Sequence, residues 1–442
     1  MHAVKLSLIV TLTCAVVASC VGPAGTSVDV VPAPAFISDN PDAIYAADPN
    51  NSWNRIFRAL FTRTIKHRLS DAFPEGAPFV QVRVEMGSIP LRISKEQFSR
   101  TEIGDRAIEP LYPTFLTIDG PLQALSEPRF SDLTTALREA IDETRDRSPV
   151  ERALMQADVW AAYDILYARR TGIERAGADH SAHNAKLLDL LRHFVRKLAL
   201  SSEEITSLKN NYLVAVTKNK LPNLFSTNSG WLEIELLPHR LHDDTTNYRR
   251  AARVFVKPRA TPADPAQFVE SLKHNQEGDK VEAVALVVQN LLIDKSGRVV
   301  PSPLFADVQF RFFANDRATG AVSAKPQQLE LSRRKLLTEP ISGGFVEFSA
   351  TSRAYLTSAG NDYDFATPIQ EADAPVVVPL RTRCTQCHAG SLTHLMTYSI
   401  HYIPPVPTVR ILKPENQERV FYVARLKEER EDFKSLFTKS TN

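Results

Sequence analysis

Apolar residues recur at helical spacing at Trp53, Ile56, Phe57, Leu60, Phe61 and Ile65, which predicts an amphipathic helix over residues 53–69. Residues 79–84, Phe-Val-Gln-Val-Arg-Val, alternate at period two and predict a strand. From about residue 131 the pattern stays helical for nearly ninety residues. One helix is expected from Asp132 to near Arg145. Ser148, Pro149 and Glu151 then form a capping box with proline at the first helical position. The box launches a helix carrying Leu154, Val159, Trp160, Tyr163, Ile165, Leu166 and Tyr167. A further helix is expected from about Asn184, with Leu187, Leu188, Leu191, Phe194, Val195 and Leu198 on its apolar side. Ser201 and Glu204 form a second capping box ahead of a helix reaching Val216.

After Pro222 the period changes. Residues 253–256, 281–293, 305–313, 328–331 and 345–348 are strand-like and punctuated by Gly, Pro and Asp. Asp294-Lys295-Ser296-Gly297 sits between two apolar runs and predicts a turn, and Ser342-Gly343-Gly344 reads as another turn rather than a phosphate cradle. A charged helix from Glu415 to Leu436 closes the chain, with the run Glu428 to Asp432 expected on a solvated face. The expected fold class is α+β: a helical subdomain, then a mainly antiparallel β region carrying a cytochrome-c-type motif near the C-terminus. The organisation expected is a leader over 1–19, a tether over 20–50, a mainly helical domain over 51–220, a mainly β domain over 221–380, and an attachment segment with the terminal helix over 381–442.

The leader rests on Lys5 followed by the apolar run Leu6 to Val17, which is too short to span a bilayer (about 20 residues are needed) but suits a secretory signal. It ends Val17-Ala18-Ser19-Cys20, small residues before a cysteine, which resembles the bacterial lipobox. The resemblance implies a lipidated Cys20 as the mature N-terminus, and two or three acyl chains there anchor stably where one does not. Val21 follows Cys20, with no Asp of the inner-membrane retention kind, so a periplasm-facing anchor in the outer membrane is expected. Residues 21–50 are rich in Pro, Gly and Asp and, as a flexible coil, span roughly 30 Å.

The 442 residues include 53 basic and 51 acidic side chains, a formal charge of +2 that falls to +1 once Lys5 is removed with the leader. Nothing in this balance calls for nucleic acid as a partner. Four cysteines are too few for a disulfide scaffold, but their positions, Cys14, Cys20, Cys384 and Cys387, are informative.

Cys384-Thr385-Gln386-Cys387-His388 is a Cys-x-x-Cys-His sequence, the pattern of covalent c-type haem attachment. Two thiols three residues apart lie on one side of a helical turn and can add to the two haem vinyl groups, and the next residue directs an imidazole at the iron. At this chain's own composition the pattern arises by chance about once in a thousand such chains. Here the chain resembles the c-type cytochromes. The resemblance covers little beyond 384–388; residues 381–402 are also similar to bacterial haem proteins in which a long mixed domain precedes a terminal motif of this kind. It implies one covalent haem c, held by Cys384 and Cys387, with His388 as proximal iron ligand. Packing of that haem against the β region would exclude water and raise its potential.

Two other readings of the motif are weaker. A Cys384–Cys387 disulfide or redox pair should open a helix early in a βαβ domain, not follow β structure with 54 residues remaining. Zinc held by Cys384, Cys387, His394 and His401 leaves His388 without a role. The distal ligand stays open among Met396, His394 and His401. Met396 lies eight residues past His388, a span that can round the ring edge only if the chain leaves the helix, as Gly390 permits. His180 and His183 could approach only through tertiary folding. The function expected is a membrane-anchored, non-enzymatic electron carrier with a periplasmic or membrane redox protein as partner. The rival expectation is an open-site haem enzyme or a gas or redox sensor, motivated by the large preceding domain; a zinc-stabilised ligand-binding lipoprotein is the third.

Overall fold

The computed structural model describes residues 43–61, 65–66, 79–83, 90–94, 107–108, 120–237, 248–272, 280–315, 322–347, 355–357, 377–379 and 408–438. It is an α+β fold in which helices cover an antiparallel sheet, as the change of period at Pro222 leads one to expect.

Helix α1 is Ser52–Phe61. It stops short of residue 69 because Ile65–Lys66 (β1) is already extended and paired with a short strand at 107–108. Phe79–Arg83 (β2) forms the expected strand, in a hairpin with Pro90–Ser94 (β3). Helix α2, Arg129–Glu143, begins three residues before Asp132. Helix α3, Pro149–Ala176, opens on the Ser148 capping box with both reciprocal bonds formed. From Ala153 to Leu166 every residue of α3 is buried, so this central stretch of the helix has no solvent face. Its polar members are there for partners. Gln156 donates to the Ile293 carbonyl at 2.9 Å and accepts from the Ile293 amide at 2.9 Å, standing in for a missing neighbouring strand.

Helix α4, Ala178–Leu198, starts six residues before Asn184. The second capping box is formed, but on a short helix, α5, Ser202–Thr206; a separate Asn210 cap starts α6, Asn211–Asn219. One expected helix is therefore two, because Asn210 captures the Leu213 amide and restarts the chain in a new direction.

The seven-stranded sheet is built from Leu232–Leu237 (β5), Arg250–Pro258 (β6), Val281–Ile293 (β7), Val299–Asn315 (β8), Val322–Leu331 (β9), Phe345–Glu347 (β10) and Thr408–Leu412 (β13), in the order β10-β9-β8-β7-β6-β5-β13. The two-stranded pair Tyr355–Thr357 (β11) and Val377–Pro379 (β12) is separate. The turn at Asp294 to Gly297 joins β7 to β8: the Asp294 amide meets the Arg298 carbonyl at 2.9 Å, and Gly297 adopts φ 82°. The sheet draws its edge strand β13 from beyond residue 380, so the attachment segment expected over 381–442 also contributes sheet.

A single apolar cluster runs from Ile44 through α1–α6 and the sheet to Leu436. Within the stretch expected to be tether, Ile44 and Tyr45 are buried, and the Tyr45 hydroxyl donates to Asp158 at 2.6 Å. A smaller cluster places Phe268 and Val269 of helix α7, Pro265–Ser271, against Ile234, Val256 and Phe313. Helix α8, Arg333–Thr338, precedes the turn at Gly343 and Gly344, which have φ 72° and 74°. This turn is locked from α6, where Asn211 Nδ2 donates to the Gly343 and Phe305 carbonyls.

A Cβ at Gly343 would sit 2.3 Å from the Asn211 carbonyl oxygen. Gly343→Ala is therefore expected to cost about 2–3 kcal/mol, from left-handed backbone strain plus a displaced α6. Urea denaturation measures it.

Candidate functional site

The terminal segment brings together a sheet edge and a group of buried charges. Glu415 to Leu436 is not one helix. A 3-10 turn at Pro414–Asn416 leads through Gln417, at φ 50°, into α9, Glu418–Glu428, and then α10, Glu431–Ser435. Gln417 is held by a 3.1 Å bond from Gln289 Nε2, which sets where α9 starts.

The run Glu428 to Asp432 is not a solvated face throughout. Asp432 is buried and lies 3.1 Å from Lys427 Nζ, while Glu428 accepts from the Val299 amide at 2.8 Å. Lys427 is wholly buried and donates to Asp164 of α3 at 2.8 Å; Arg249 closes the group at 2.9 Å from the same carboxylate. Burial pushes Asp164 up and Lys427 and Arg249 down, each against its opposite charges. Two acids and two bases are thereby sealed between α3, the start of β6 and the terminal helices. Nothing in the local sequence marks Lys427 as buried except its place between apolar positions on α9.

A second buried set runs beside it. Arg333 forks onto Asp158 with bonds of 2.6 and 2.7 Å, and Arg253 forks onto Glu233 with bonds of 2.6 and 2.8 Å while also reaching the Pro414 carbonyl. Arg250 is pushed down to about 9 by burial and the neighbouring Arg249 and Arg333. Asp307 is pushed up to about 6, because burial outweighs the bonds it accepts from Gln309 and Gln328.

The sign for Asp307 follows from linkage. A carboxylate with a folded pKa above its unfolded one adds stability that is complete below the unfolded value of 3.8 and is lost as pH rises through 6. Its contribution is expected to be about 1–2 kcal/mol larger at pH 5 than at pH 7.5. Denaturant titrations at both pH values should show wild type gaining that much more than Asp307→Asn on acidification.

An open groove of about 610 Å³ lies between β13 and α9, lined by Glu235, Arg410, Glu418, Phe421, Tyr422 and Arg425 among others. Glu235 is occupied by Arg410 at 2.5 Å and Arg419 at 3.9 Å. Glu418 lies 3.6 Å from Arg410. Arg425 is exposed and has no ion pair among the described residues, and Phe421 keeps 52% of its surface in solvent. The volume is in the range of small-molecule and cofactor sites.

Cys384, Cys387, His388, His394, Met396 and His401 lie outside the described residues, as does Cys20. Residues 380–407 run between β12 and β13, so the motif's chain ends on the strand that lines the groove. Of the remoter histidines, His183 is committed elsewhere: its Nδ1 is 2.7 Å from the Leu125 carbonyl, and its ring stacks on Phe130 at 3.7 Å. Among the described residues there is no cluster of His, Cys, Asp and Glu fit to hold a metal ion, and no helix long and apolar enough to cross a membrane. No protein family, curated protein or solved structure matches the chain.

Proposed function

We propose that this chain is a haem-c protein, held to the periplasmic face of a bacterial membrane through lipid on Cys20, that passes electrons to or from another redox protein. The observation that carries it is the Cys-x-x-Cys-His sequence at 384–388 downstream of an export leader. A haem bound there supplies a one-electron ferric–ferrous couple. Cys384 and Cys387 would hold it as thioethers through their sulfur atoms, and His388 would offer an imidazole nitrogen to the iron. The region joined to the motif is well packed. β13 is paired along its full length with β5, and the terminal helices beyond it are tied down by buried ion pairs. A carrier gains from such rigidity, because a group held in one geometry spends less on reorganisation when its charge changes.

The test is the purified soluble form, beginning after Cys20, made in cells competent in c-type haem maturation. Haem staining of the denatured polypeptide and a pyridine haemochrome spectrum are expected to show one covalent haem. A colourless polypeptide overturns the proposal. An electron carrier is expected to give a low-spin ferrous spectrum that carbon monoxide leaves unchanged; a carbon monoxide adduct would instead favour an open-site enzyme or sensor.

A further inference from the structure

We propose that Lys427 and Asp164 join in an intramolecular amide, a cross-link between α9 and α3 that the folded chain makes for itself, with Asp432 carrying the proton. The bond is independent of the haem-c reading, because every group it uses lies in the buried charge cluster.

Three observations on this chain converge. The first is contact. Lys427 Nζ lies 2.8 Å from Asp164 Oδ2 and 3.1 Å from Asp432 Oδ2, and neither Lys427 nor Asp164 has any surface in solvent. The Asp164 carboxyl carbon is one covalent bond beyond that oxygen, at the edge of the range of about 3–3.5 Å from which a positioned nucleophile attacks. The second is what the ion pairs leave undone. Asp164 Oδ1 and Arg249 Nη2 are buried with no hydrogen-bond partner among the described residues, although Arg249 Nε is 2.9 Å from Asp164 Oδ2. The third is the setting. The Trp160 ring lies 5.3 Å from the ammonium and packs on Phe433. Burial pushes Asp164 up and Lys427 down, toward the neutral acid and neutral amine that react. Asp432 is fixed beside them by Arg430 at 3.1 Å and by the Phe433 amide, which donates at 2.8 Å.

The step needs no co-reactant. Lys427 passes one proton to Asp164 Oδ2, and the freed electron pair on Nζ attacks the carboxyl carbon to form the C–N bond. Asp432 takes a second proton from the nitrogen and hands it to Oδ2, which leaves as water when the C–O bond breaks. Asp432 ends as it began. One ammonium and one carboxylate have become a neutral amide, which removes two charges whose burial is costly. The remaining oxygen, Oδ1, becomes the amide carbonyl, an acceptor for the unspent Arg249 nitrogen. Exclusion of water protects the product from hydrolysis. The ion pairs described above are those of the freshly folded chain, before the bond forms. The loop it closes spans 263 positions and contains Cys384, Cys387 and His388.

Tryptic digestion and tandem mass spectrometry of the denatured, full mature chain test the bond. Residues 153–169 carry Asp164 and residues 426–430 carry Lys427, and trypsin does not cut after an acylated lysine. Wild type is expected to give these two peptides joined, one water lighter than their sum, with fragment ions placing the link at Asp164 rather than Asp158. Asp432→Asn keeps both reacting groups and, in samples taken at intervals after synthesis, is expected to close at least about 100-fold more slowly. Its digest, like that of Asp164→Ala, should show the chain cut after Lys427. Wild type cut after Lys427, with no joined peptide, overturns the cross-link whatever the stability of the variants. Asp432→Asn joined as fast as wild type overturns the role of Asp432.

Discussion

Replacing Cys384 and Cys387 together by alanine is expected to leave a chain of unchanged fold that carries no covalent haem. The thioether bonds are the attachment; without them any haem is held by coordination and packing alone, and denaturation strips it. Haem staining after denaturing electrophoresis should therefore be lost completely in the double variant. Each single variant should keep one thioether, with a pyridine haemochrome band displaced to longer wavelength because one vinyl group stays conjugated with the ring. This graded pattern separates haem from the rival chemistries at the same residues. A disulfide responds equally to either single substitution, and a zinc site gives no visible band at all. The fold should be preserved because the apolar cluster from Ile44 to Leu436 packs together residues that lie outside the motif. Far-ultraviolet circular dichroism and the urea midpoint check that point. Substituting Met396, His394 and His401 one at a time then assigns the second axial ligand: the variant whose ferrous form gains a carbon monoxide adduct has lost it.

How much of this architecture could be read from residues alone depended on whether the signal was local. Both capping boxes, at Ser148 and Ser201, formed as expected because their partners lie three residues away. The 281–293 strand and the turn at Asp294 to Gly297 were recoverable for the same reason: alternation and turn chemistry are properties of adjacent residues. Starts and stops were harder. α4 begins at Ala178 rather than Asn184 because its first turn is mostly polar and exposed, which leaves no apolar stripe to count. β13 went unrecognised because five residues, Thr-Val-Arg-Ile-Leu, owe their extended form to pairing with β5, some 170 positions earlier. Asp164 and Lys427 were invisible as a pair for that reason too. Charge at 428–432 suggests solvent unless one knows that α3 lies beneath. The groove has the same origin, since its walls come from β5, β8, β13 and α9. The haem motif is the opposite case: five consecutive residues carry the whole signal, and they carry it without reference to the fold.

Lys427→Met is expected to be the most destabilising substitution in the described structure, costing about 3–5 kcal/mol in a urea or guanidinium titration. Methionine fills nearly the same volume, so the loss is electrostatic rather than a cavity. Wild type balances Asp164 and Asp432 against Lys427 and Arg249, with Lys427 2.8 Å and 3.1 Å from the two carboxylates and lying 5.3 Å from the Trp160 ring. Removing the lysine leaves each buried carboxylate with one guanidinium, Asp164 with Arg249 and Asp432 with the partly exposed Arg430, and takes from Asp164 the bond that the ammonium donates. Asp164, buried and short of its nearest cation, must then be protonated or drawn toward solvent, and either route loosens α9 and α10 from α3. Burial already pushes Asp164 upward with Lys427 in place; without its cation the pKa must rise further, so the variant should recover stability as pH is lowered through the range where Asp164 takes its proton. A structural cavity would show no such recovery. Adding Asp164→Asn to Lys427→Met removes the carboxylate that lost its ammonium but also the ion-pair partner of Arg249, so the double variant is expected to lose less than the sum of the two single losses. Independent effects would sum to a larger deficit than either alone, so the sign of the coupling in this double-mutant cycle decides whether the four charges act as one unit.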